Sequence, residues 1–239
     1  MRSSRSAPDP FRPGRLGFAH RGLHGPGVPE NSLAAARAAV AGGAGIECDV
    51  RLSGDGVPMV FHDADLTRLC GIEATVDDCT AARLGALRLL GTSECVPALG
   101  DWLALIDDDT PVLIELKATD PITTDALCAA VHKLLGTERS RTAVMSFAPQ
   151  VGRWFADHAP GRRRGLVVDG RWPPEFRASA LTLANPQFVA IDKALLPEPW
   201  TADIRMTMPV YSWTIRSPGE LRMVAVHADA PIWEGDGRP

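Results

Sequence analysis

The sequence lacks several patterns that define whole classes of protein. No stretch approaches the roughly 18 consecutive apolar residues of a membrane span, so stable insertion into a membrane is not expected. The net charge is −4 and basic clusters such as residues 162–164 are short, so nucleic-acid binding is not expected either. No apolar segment follows the arginines of residues 1–14, which we expect to be a disordered leader.

The spacing of the cysteines and the scarcity of lysine are both informative. The five cysteines occur in no CxxC pair and no zinc-type array, which predicts reduced thiols in a cytoplasmic protein. Lysine occurs only three times, at Lys117, Lys133 and Lys193, against 22 arginines. This scarcity makes Lys117 conspicuous, because it lies within a strongly apolar segment.

Length and periodicity predict one α/β domain. A chain of 239 residues with 45% hydrophobic residues fits one large domain with a sizeable core. Short apolar runs alternate with helical segments, and this alternation is typical of strand–helix units around a parallel sheet. We therefore predict a single TIM-type (β/α)8 barrel over residues 15–239.

Nine strands are predicted, one more than a (β/α)8 barrel contains. They cover residues 16–19, 45–50, 58–61, 111–117, 142–147, 165–168, 188–192, 209–213 and 232–234. Only about nine residues separate Asp49 from Pro58, fewer than a helical crossover needs. The chain returns there either extended or as a hairpin, so the barrel is expected to be irregular between its second and third strands.

Helices are predicted between most of the later strands and in one insertion. The main helices cover residues 29–41, 123–135, 149–158, 174–182 and 218–227, and Asn31 or Ser32 is the expected N-cap of the first. Residues 64–110 are predicted to be a short insertion, with helices near 78–87 and 99–106 and no strand.

Ionisable residues lie at the ends of the first four predicted strands. In a parallel barrel these ends meet on one face, where functional side chains gather. The residues are His20 and Arg21, then Glu47 and Asp49, then His62, then Glu115 and Lys117. Side chains two residues apart on a strand share a face, so Glu47 and Asp49 point together and Cys48 points away.

Carboxylates placed this closely repel one another unless a positive charge lies between them. Glu47, Asp49 and Glu115, with no cysteine or histidine at ligand spacing, favour a hard cation over zinc. Mg²⁺ and Ca²⁺ both fit this set of oxygen ligands.

The remaining residues suit a phosphate ester. Arg21 and Lys117 carry charges that bind phosphate oxygens. His20 and His62 can act as a general acid and a general base. A metal, a phosphate clamp and two histidines together indicate phosphodiester cleavage.

Several short motifs resemble one family. HRG, PENS, IECDV, DGVPMVFHD and LIELK occur in this order, followed by MSF and YSWT. Through these motifs the chain resembles the glycerophosphodiester phosphodiesterase family over about residues 16–236. The resemblance implies a TIM-type barrel, a divalent cation, and hydrolysis of glycerophosphodiesters to glycerol 3-phosphate and an alcohol.

The resemblance also implies roles for individual residues. The expected metal ligands are Glu47, Asp49 and Glu115; the acid/base pair is His20 and His62; the phosphate binders are Arg21 and Lys117; Glu30 supports the site on the first strand; and Trp213 packs against glycerol. One departure concerns the last motif, which is TD-x-P-like in the family and IWEGDGRP here. Glu234 either replaces a polar group of that motif or lies on the surface.

Two other functions remain open at this point. A lysophospholipase D-type enzyme with the same catalytic set would need an apolar rim for an acyl chain, and no exposed apolar run in the sequence argues for one. A non-catalytic barrel that binds phosphate esters would be expected to have lost a histidine or an acid, and none is lost. The sequence leaves open the preferred alcohol, the choice of cation, the role of each histidine and the oligomeric state.

Overall fold

The structure is a computed structural model that describes Phe11, residues 16–136 and residues 141–239. The described residues form nine strands: β1 (Phe18–Ala19), β2 (Gly45–Leu52), β3 (Pro58–Val60), β4 (Val112–Leu116), β5 (Thr142–Ser146), β6 (Arg164–Val168), β7 (Phe188–Asp192), β8 (Val210–Ile215) and β9 (Ala230–Trp233). All except β3 run parallel to their neighbours, and β1 pairs with both β2 and β9. These eight strands therefore close into the predicted TIM-type (β/α)8 barrel.

The irregularity between the second and third predicted strands is a hairpin. β3 pairs antiparallel with the last three residues of β2. The turn between them is held by Ser53, whose hydroxyl donates to Asp55 and accepts from the amide of Val57. The prediction that His62 ends a barrel strand is therefore wrong: β3 folds back along β2, and this return brings His62 to the carboxyl end of the barrel.

Helices cover the outside of the barrel. The described helices are α1 (Leu33–Ala41), α2 (Thr67–Cys70), α3 (Ala81–Leu84), α4 (Leu99–Ala104), α5 (Pro121–Leu135), α6 (Pro149–His158), α7 (Pro174–Ala184), α8 (Pro199–Arg205) and α9 (Pro218–His227). The five main predicted helices are confirmed with small changes at their ends, whereas α2 and α8 were not predicted. Ser32 and not Asn31 caps α1, since its side chain accepts from the amide of Ala35. None of the described helices has the length and apolarity to cross a membrane.

The insertion packs partly over the hairpin and, through α4, partly against the barrel core. Within residues 64–110 the short helices α2, α3 and α4 are present and, as predicted, no strand. Apolar side chains from this segment and from the hairpin form one buried cluster, which includes Met59, Phe61, Leu66, Leu84 and Val96. This cluster supports the loop that carries His62.

The barrel strands separate two further cores by simple alternation. On β2, Ile46, Cys48 and Val50 join the core between sheet and helices. On the neighbouring β4, Leu113 joins the core inside the barrel. Cys48 therefore points away from the acids, as predicted, while Glu47 and its companions face the interior.

Phe11 fills the amino-terminal end of the barrel. Its ring stacks on Phe18 and Phe188, with centroids 5.8 and 6.0 Å apart, and these two residues begin β1 and β7. The leader predicted for residues 1–14 lies outside the described residues except at this position. Here the chain is buried in the core, where a disordered leader had been expected.

Replacing Phe11 with alanine should lower the free energy of unfolding by about 3 kcal/mol, because it removes a fully buried ring. Urea unfolding measures the change. Ile122→Ala, at an exposed position on α5, is the matched control and should alter stability by less than about 0.5 kcal/mol. Equal effects of the two substitutions would show that Phe11 does not stabilise the barrel.

Candidate active site

A cavity of about 290 Å³ opens at the carboxyl end of the barrel. It is the cavity in which the predicted residues meet: its lining includes His20, Arg21, Glu47, His62, Glu115, Lys117 and Trp213. Asp49 and Glu30 lie just behind this lining and contact it through ion pairs. Residues that are far apart in sequence converge here because they follow neighbouring strands.

Three carboxylates form the floor of the site. Glu47 and Asp49 lie on the inner face of β2, and Glu115 is paired in register with Asp49 on the adjacent β4. One oxygen from each lies within 4.8 Å of the others, and all three side chains are buried. The period-2 alternation of two neighbouring strands thus builds the acidic cluster that the sequence predicted.

Two cations partly neutralise this cluster. The Lys117 ammonium contacts Glu115 and lies 2.8 Å from Asp49 Oδ1. The Arg21 Nε lies 3.2 Å from Asp49 Oδ2, and the Arg21 amide donates to Glu47 Oε2 over 2.9 Å. Arg21 reaches both acids from a left-handed backbone conformation with φ of 57°, which costs energy in a non-glycine residue.

The charges are distributed unevenly among the three acids. Burial raises the pKa of Asp49, but Lys117 and Arg21 outweigh it and hold the pKa far below its usual value. Burial raises the pKa of Glu47 well above its usual value, and the charges of Asp49 and Glu115 raise it further. Burial also raises the pKa of Glu115, despite the contact with Lys117. The site therefore still favours an additional positive charge near Glu47.

The free oxygen of Glu47 tests whether a metal ion fits. Glu47 Oε1 is buried, and no described residue offers it a hydrogen bond. A buried carboxylate oxygen without a partner is costly unless a cation binds it. Together with the oxygens of Asp49 and Glu115, this atom is suited to a hard divalent cation.

His20 is held by the last barrel strand. Its Nδ1 lies 2.8 Å from Glu234 Oε2, and the other carboxylate oxygen of Glu234 accepts from Arg216. Burial lowers the pKa of His20, although the hydrogen bond with Glu234 opposes this effect. The bond to Nδ1 leaves Nε2 as the atom available for other partners.

His62 is held by the insertion in a similar way. Its Nδ1 lies 2.7 Å from Asp63 Oδ1, and Arg68 on α2 contacts the other oxygen of Asp63 at 2.6 Å. Arg68 also binds both oxygens of Glu30 at 2.8 Å, and Glu30 accepts from Arg21 at 2.7 Å. A chain of ion pairs thus connects His62 with Arg21. Burial lowers the pKa of His62 as well.

Trp213 forms one wall of the cavity. Its indole N–H donates to the Ala190 carbonyl at 3.0 Å, which fixes the plane of the ring. Phe147 contacts it edge-to-face with centroids 5.4 Å apart.

The sequence interpretation missed several residues that position this site. Asn31 donates to Asp49 Oδ2 at 2.9 Å from its own left-handed conformation, and this contact explains why Asn31 does not cap α1. Glu234 lies in the site, so the surface alternative is wrong. The sequence could have indicated this position, because Glu234 directly follows β9. Asp63 and Arg68 gave no comparable signal, because they do not follow a barrel strand.

Comparison with known families identifies a match over most of the chain. The model of the Glycerophosphoryl diester phosphodiesterase family matches residues 20–230. This range contains every residue of the site described above except Glu234.

Individual relatives agree with this match. A glycerophosphodiester phosphodiesterase of Caldanaerobacter subterraneus subsp. tengcongensis is 38% identical over 235 residues, covering 91% of this chain and 93% of that protein. The probable glycerophosphodiester phosphodiesterase 2 of Mycobacterium tuberculosis is 36% identical over 115 residues, 46% of this chain; the matched part spans only about two fifths of that relative, 41%.

A solved structure shows the same fold. It is an Oleispira antarctica phosphodiesterase in complex with the product sn-glycerol-3-phosphate, with a TM-score of 0.80. The match covers 91% of this chain and 92% of that chain at 24% identity, so it supports the barrel architecture.

Glu234→Gln should lower the pKa of His20 further. The charge of Glu234 and its hydrogen bond both stabilise the protonated imidazole of His20. The substitution removes the charge and weakens the hydrogen bond, so the pKa of His20 falls. NMR titration of the imidazole signals measures the change. Glu198→Gln, which alters a carboxylate paired with Arg177 on the outer helices, should leave the His20 titration unchanged. An unchanged pKa in Glu234→Gln would show that the contact does not influence His20.

Proposed function

We propose that this chain, which belongs to the glycerophosphoryl diester phosphodiesterase family, hydrolyses glycerophosphodiesters to glycerol 3-phosphate and an alcohol. The observation that carries the proposal is the convergence of three buried carboxylates, two cations and two histidines around one cavity. The activities named for the relatives and the product bound in the Oleispira antarctica structure are consistent with it.

Glu47, Asp49 and Glu115 are the residues that would hold a divalent cation, Mg²⁺ or Ca²⁺. The buried oxygen of Glu47 without a hydrogen-bond partner supports this assignment. Such a cation polarises a bound phosphate and offsets the negative charge that develops on its oxygens.

Arg21 and Lys117 bind the phosphate group in this proposal. Both head groups line the cavity and are held in place by Asp49. The guanidinium offers a planar pair of donors and the ammonium a compact charge, so the two can contact different phosphate oxygens. Because they are fixed before substrate arrives, little reorganisation is needed when charge develops in the transition state.

His20 and His62 transfer protons. One removes the proton from the attacking oxygen, which belongs to water or to the glycerol 2-hydroxyl, and the other protonates the departing alkoxide. Their lowered pKa values keep a neutral imidazole available at neutral pH. Glu234 and Asp63 hold the two Nδ1 atoms, so each ring presents Nε2 to the reaction.

Trp213 is proposed to pack against the glycerol group. The ring is fixed by its bond to Ala190 and lines the cavity. The proposed substrate is a small phosphodiester. The net charge of −4 gives no support to a nucleic-acid substrate. We propose a cytoplasmic location, since all five cysteines are free thiols.

Purified protein should release glycerol 3-phosphate from glycerophosphocholine, lose this activity with EDTA, and regain it with Mg²⁺ or Ca²⁺. His62→Ala should lower kcat by about 10² to 10⁴-fold, because it removes one proton-transfer group. A coupled glycerol 3-phosphate assay measures both effects.

His227→Ala, at the end of α9, is the matched control and should retain activity. Absence of release with every metal, from protein shown to be folded, would contradict hydrolysis and favour the alternative of a barrel that only binds phosphate esters.

Glu47→Gln should weaken binding of the divalent cation about tenfold or more, because it removes one of three ligand charges. Calorimetric titration with Mg²⁺ and with Ca²⁺ measures the affinity without substrate. Glu73→Gln, which changes an exposed carboxylate of the insertion, should bind as the parent does. Equal affinity of the two variants would place the cation elsewhere.

A further inference from the structure

A second cavity, of about 310 Å³, lies beside the catalytic one at the carboxyl end of the barrel. We call it the side cavity. Its walls come from the end of β2, the hairpin turn, the insertion and the start of α5, and they include Arg51, Ser53, Gly54, Asp77, Lys117 and Thr123. Small-molecule sites have volumes of roughly 300 to 1,000 Å³, so the side cavity is large enough to hold a ligand.

The side cavity adjoins the catalytic cavity at Lys117, whose side chain lines both. Arg51 lies two residues beyond Asp49 on β2, so the two side chains share a face of the strand. Arg51 also donates from Nε to the carbonyl of His62 at 2.8 Å. One wall of the side cavity is therefore in direct contact with residues of the catalytic site.

Two opposite charges line the side cavity without contacting each other. Apart from its Nε bond, the Arg51 guanidinium forms no hydrogen bond or ion pair with any residue that the structure describes. The Asp77 carboxylate likewise has no partner within the described part of the chain. Asp77 attracts Arg51 electrostatically, yet the two side chains form no ion pair. The side cavity thus offers hydrogen-bond donors at one wall and acceptors at another.

The hairpin turn fixes the backbone at Asp77. The Gly54 amide donates to the carbonyl of Cys79 at 2.8 Å, and the Asp55 carboxylate accepts from the amide of Ala81 at 2.8 Å. A Cβ atom at Gly54 would lie only 2.5 Å from the carbonyl oxygen of Asp77, so this close approach requires glycine. The walls that carry Arg51 and Asp77 are therefore held together before a ligand binds.

The charges of the side cavity favour a neutral group that carries hydroxyls. Arg51 repels a cationic group such as choline, and Asp77 repels an anionic one. A hydroxyl accepts a hydrogen bond from a guanidinium and donates one to a carboxylate, so a polyol can bind both residues at once. An apolar group would leave both charges without a partner.

The location of the side cavity matches one of the two alcohols of a phosphodiester. In the proposed function, glycerol packs against Trp213 on β8. In the closed barrel β8 lies opposite β4, with β5, β6 and β7 between them on one side and β9, β1 and β2 on the other. A phosphate bound to Lys117, which follows β4, therefore directs its second alcohol away from Trp213 and toward the side cavity.

We propose that the side cavity binds the head-group alcohol of the substrate, and that this alcohol is a neutral polyol such as glycerol or inositol. Arg51 and Asp77 bind its hydroxyl groups and thereby determine specificity. The inference rests on the proposed function and names the class of diester that the same site prefers. The reaction at phosphorus is unchanged.

The test compares glycerophosphoinositol and glycerophosphoglycerol with glycerophosphocholine and glycerophosphoethanolamine, with Mg²⁺ or Ca²⁺ present. All four release glycerol 3-phosphate, so one coupled assay serves every substrate. In the parent protein kcat/KM for the two polyol substrates should exceed that for the two cationic head groups by about tenfold or more. The reason is that only the polyols can bind both Arg51 and Asp77 through hydroxyls.

Variants of the two charged walls identify the binding residues. Asp77→Ala should lower the ratio of kcat/KM for glycerophosphoinositol to that for glycerophosphocholine by about tenfold, because it removes a charged acceptor. Asp77 is exposed, so its truncation should leave the protein folded. Asp101→Ala, which removes an exposed carboxylate on α4 outside the side cavity, should leave the ratio unchanged.

Arg51→Lys should also lower this ratio, because a single ammonium cannot bind both the carbonyl of His62 and a head-group hydroxyl. Both substrates depend on His62 in the proposed function. An effect of this variant that acts through His62 therefore changes both values of kcat/KM and cancels in the ratio.

The outcomes separate the two proposals. Equal kcat/KM for all four substrates, or a higher value for the cationic head groups, contradicts the inference alone. A polyol preference that persists unchanged in both Asp77→Ala and Arg51→Lys places the head group elsewhere and also contradicts it. Release from no substrate, by folded protein supplied with metal, contradicts the proposed function and the inference together.

Discussion

The site depends on the burial of three carboxylates at one point inside an apolar barrel. Each charge that leaves water costs several kcal/mol unless it is compensated. The nearby features provide that compensation: Lys117 and Arg21 neutralise Asp49, and the amides of Asn31 and Arg21 donate to the acids. Glu47 keeps one oxygen without a donor, and this remaining deficit is the observation on which the proposed cation site rests.

The two histidines are held by separate segments of the chain. His20 is fixed by β9, the last strand to join the barrel, and His62 by the insertion after the hairpin. Arg68 is half exposed, so its individual ion pairs are weakened by solvent. Arg68 acts by positioning other residues: its guanidinium binds both Asp63 and Glu30, and these contacts fix the position of His62 relative to Arg21.

Sequence reasoning predicted the parts of this arrangement that local rules govern. Alternation on β2 and β4 placed Glu47, Asp49 and Glu115 on one face, and strand ends located His20 and Lys117. It did not decide between hairpin and extended return, because that choice depends on how the insertion packs against Met59 and Phe61. The contact between His20 and Glu234 spans 214 positions, and only the closed barrel reveals it.

The groups assigned to the proposed reaction are concentrated in the first half of the chain. The three acids, both histidines and the two cations proposed to bind phosphate all lie between His20 and Lys117, whereas the walls of the cavity formed by Phe147, Lys193 and Trp213 come from later strands or directly follow them. The exception is Glu234, which follows the last strand and fixes His20. A fragment ending after Lys117 would therefore carry every reacting group of the proposed mechanism but leave His20 without the carboxylate that orients it.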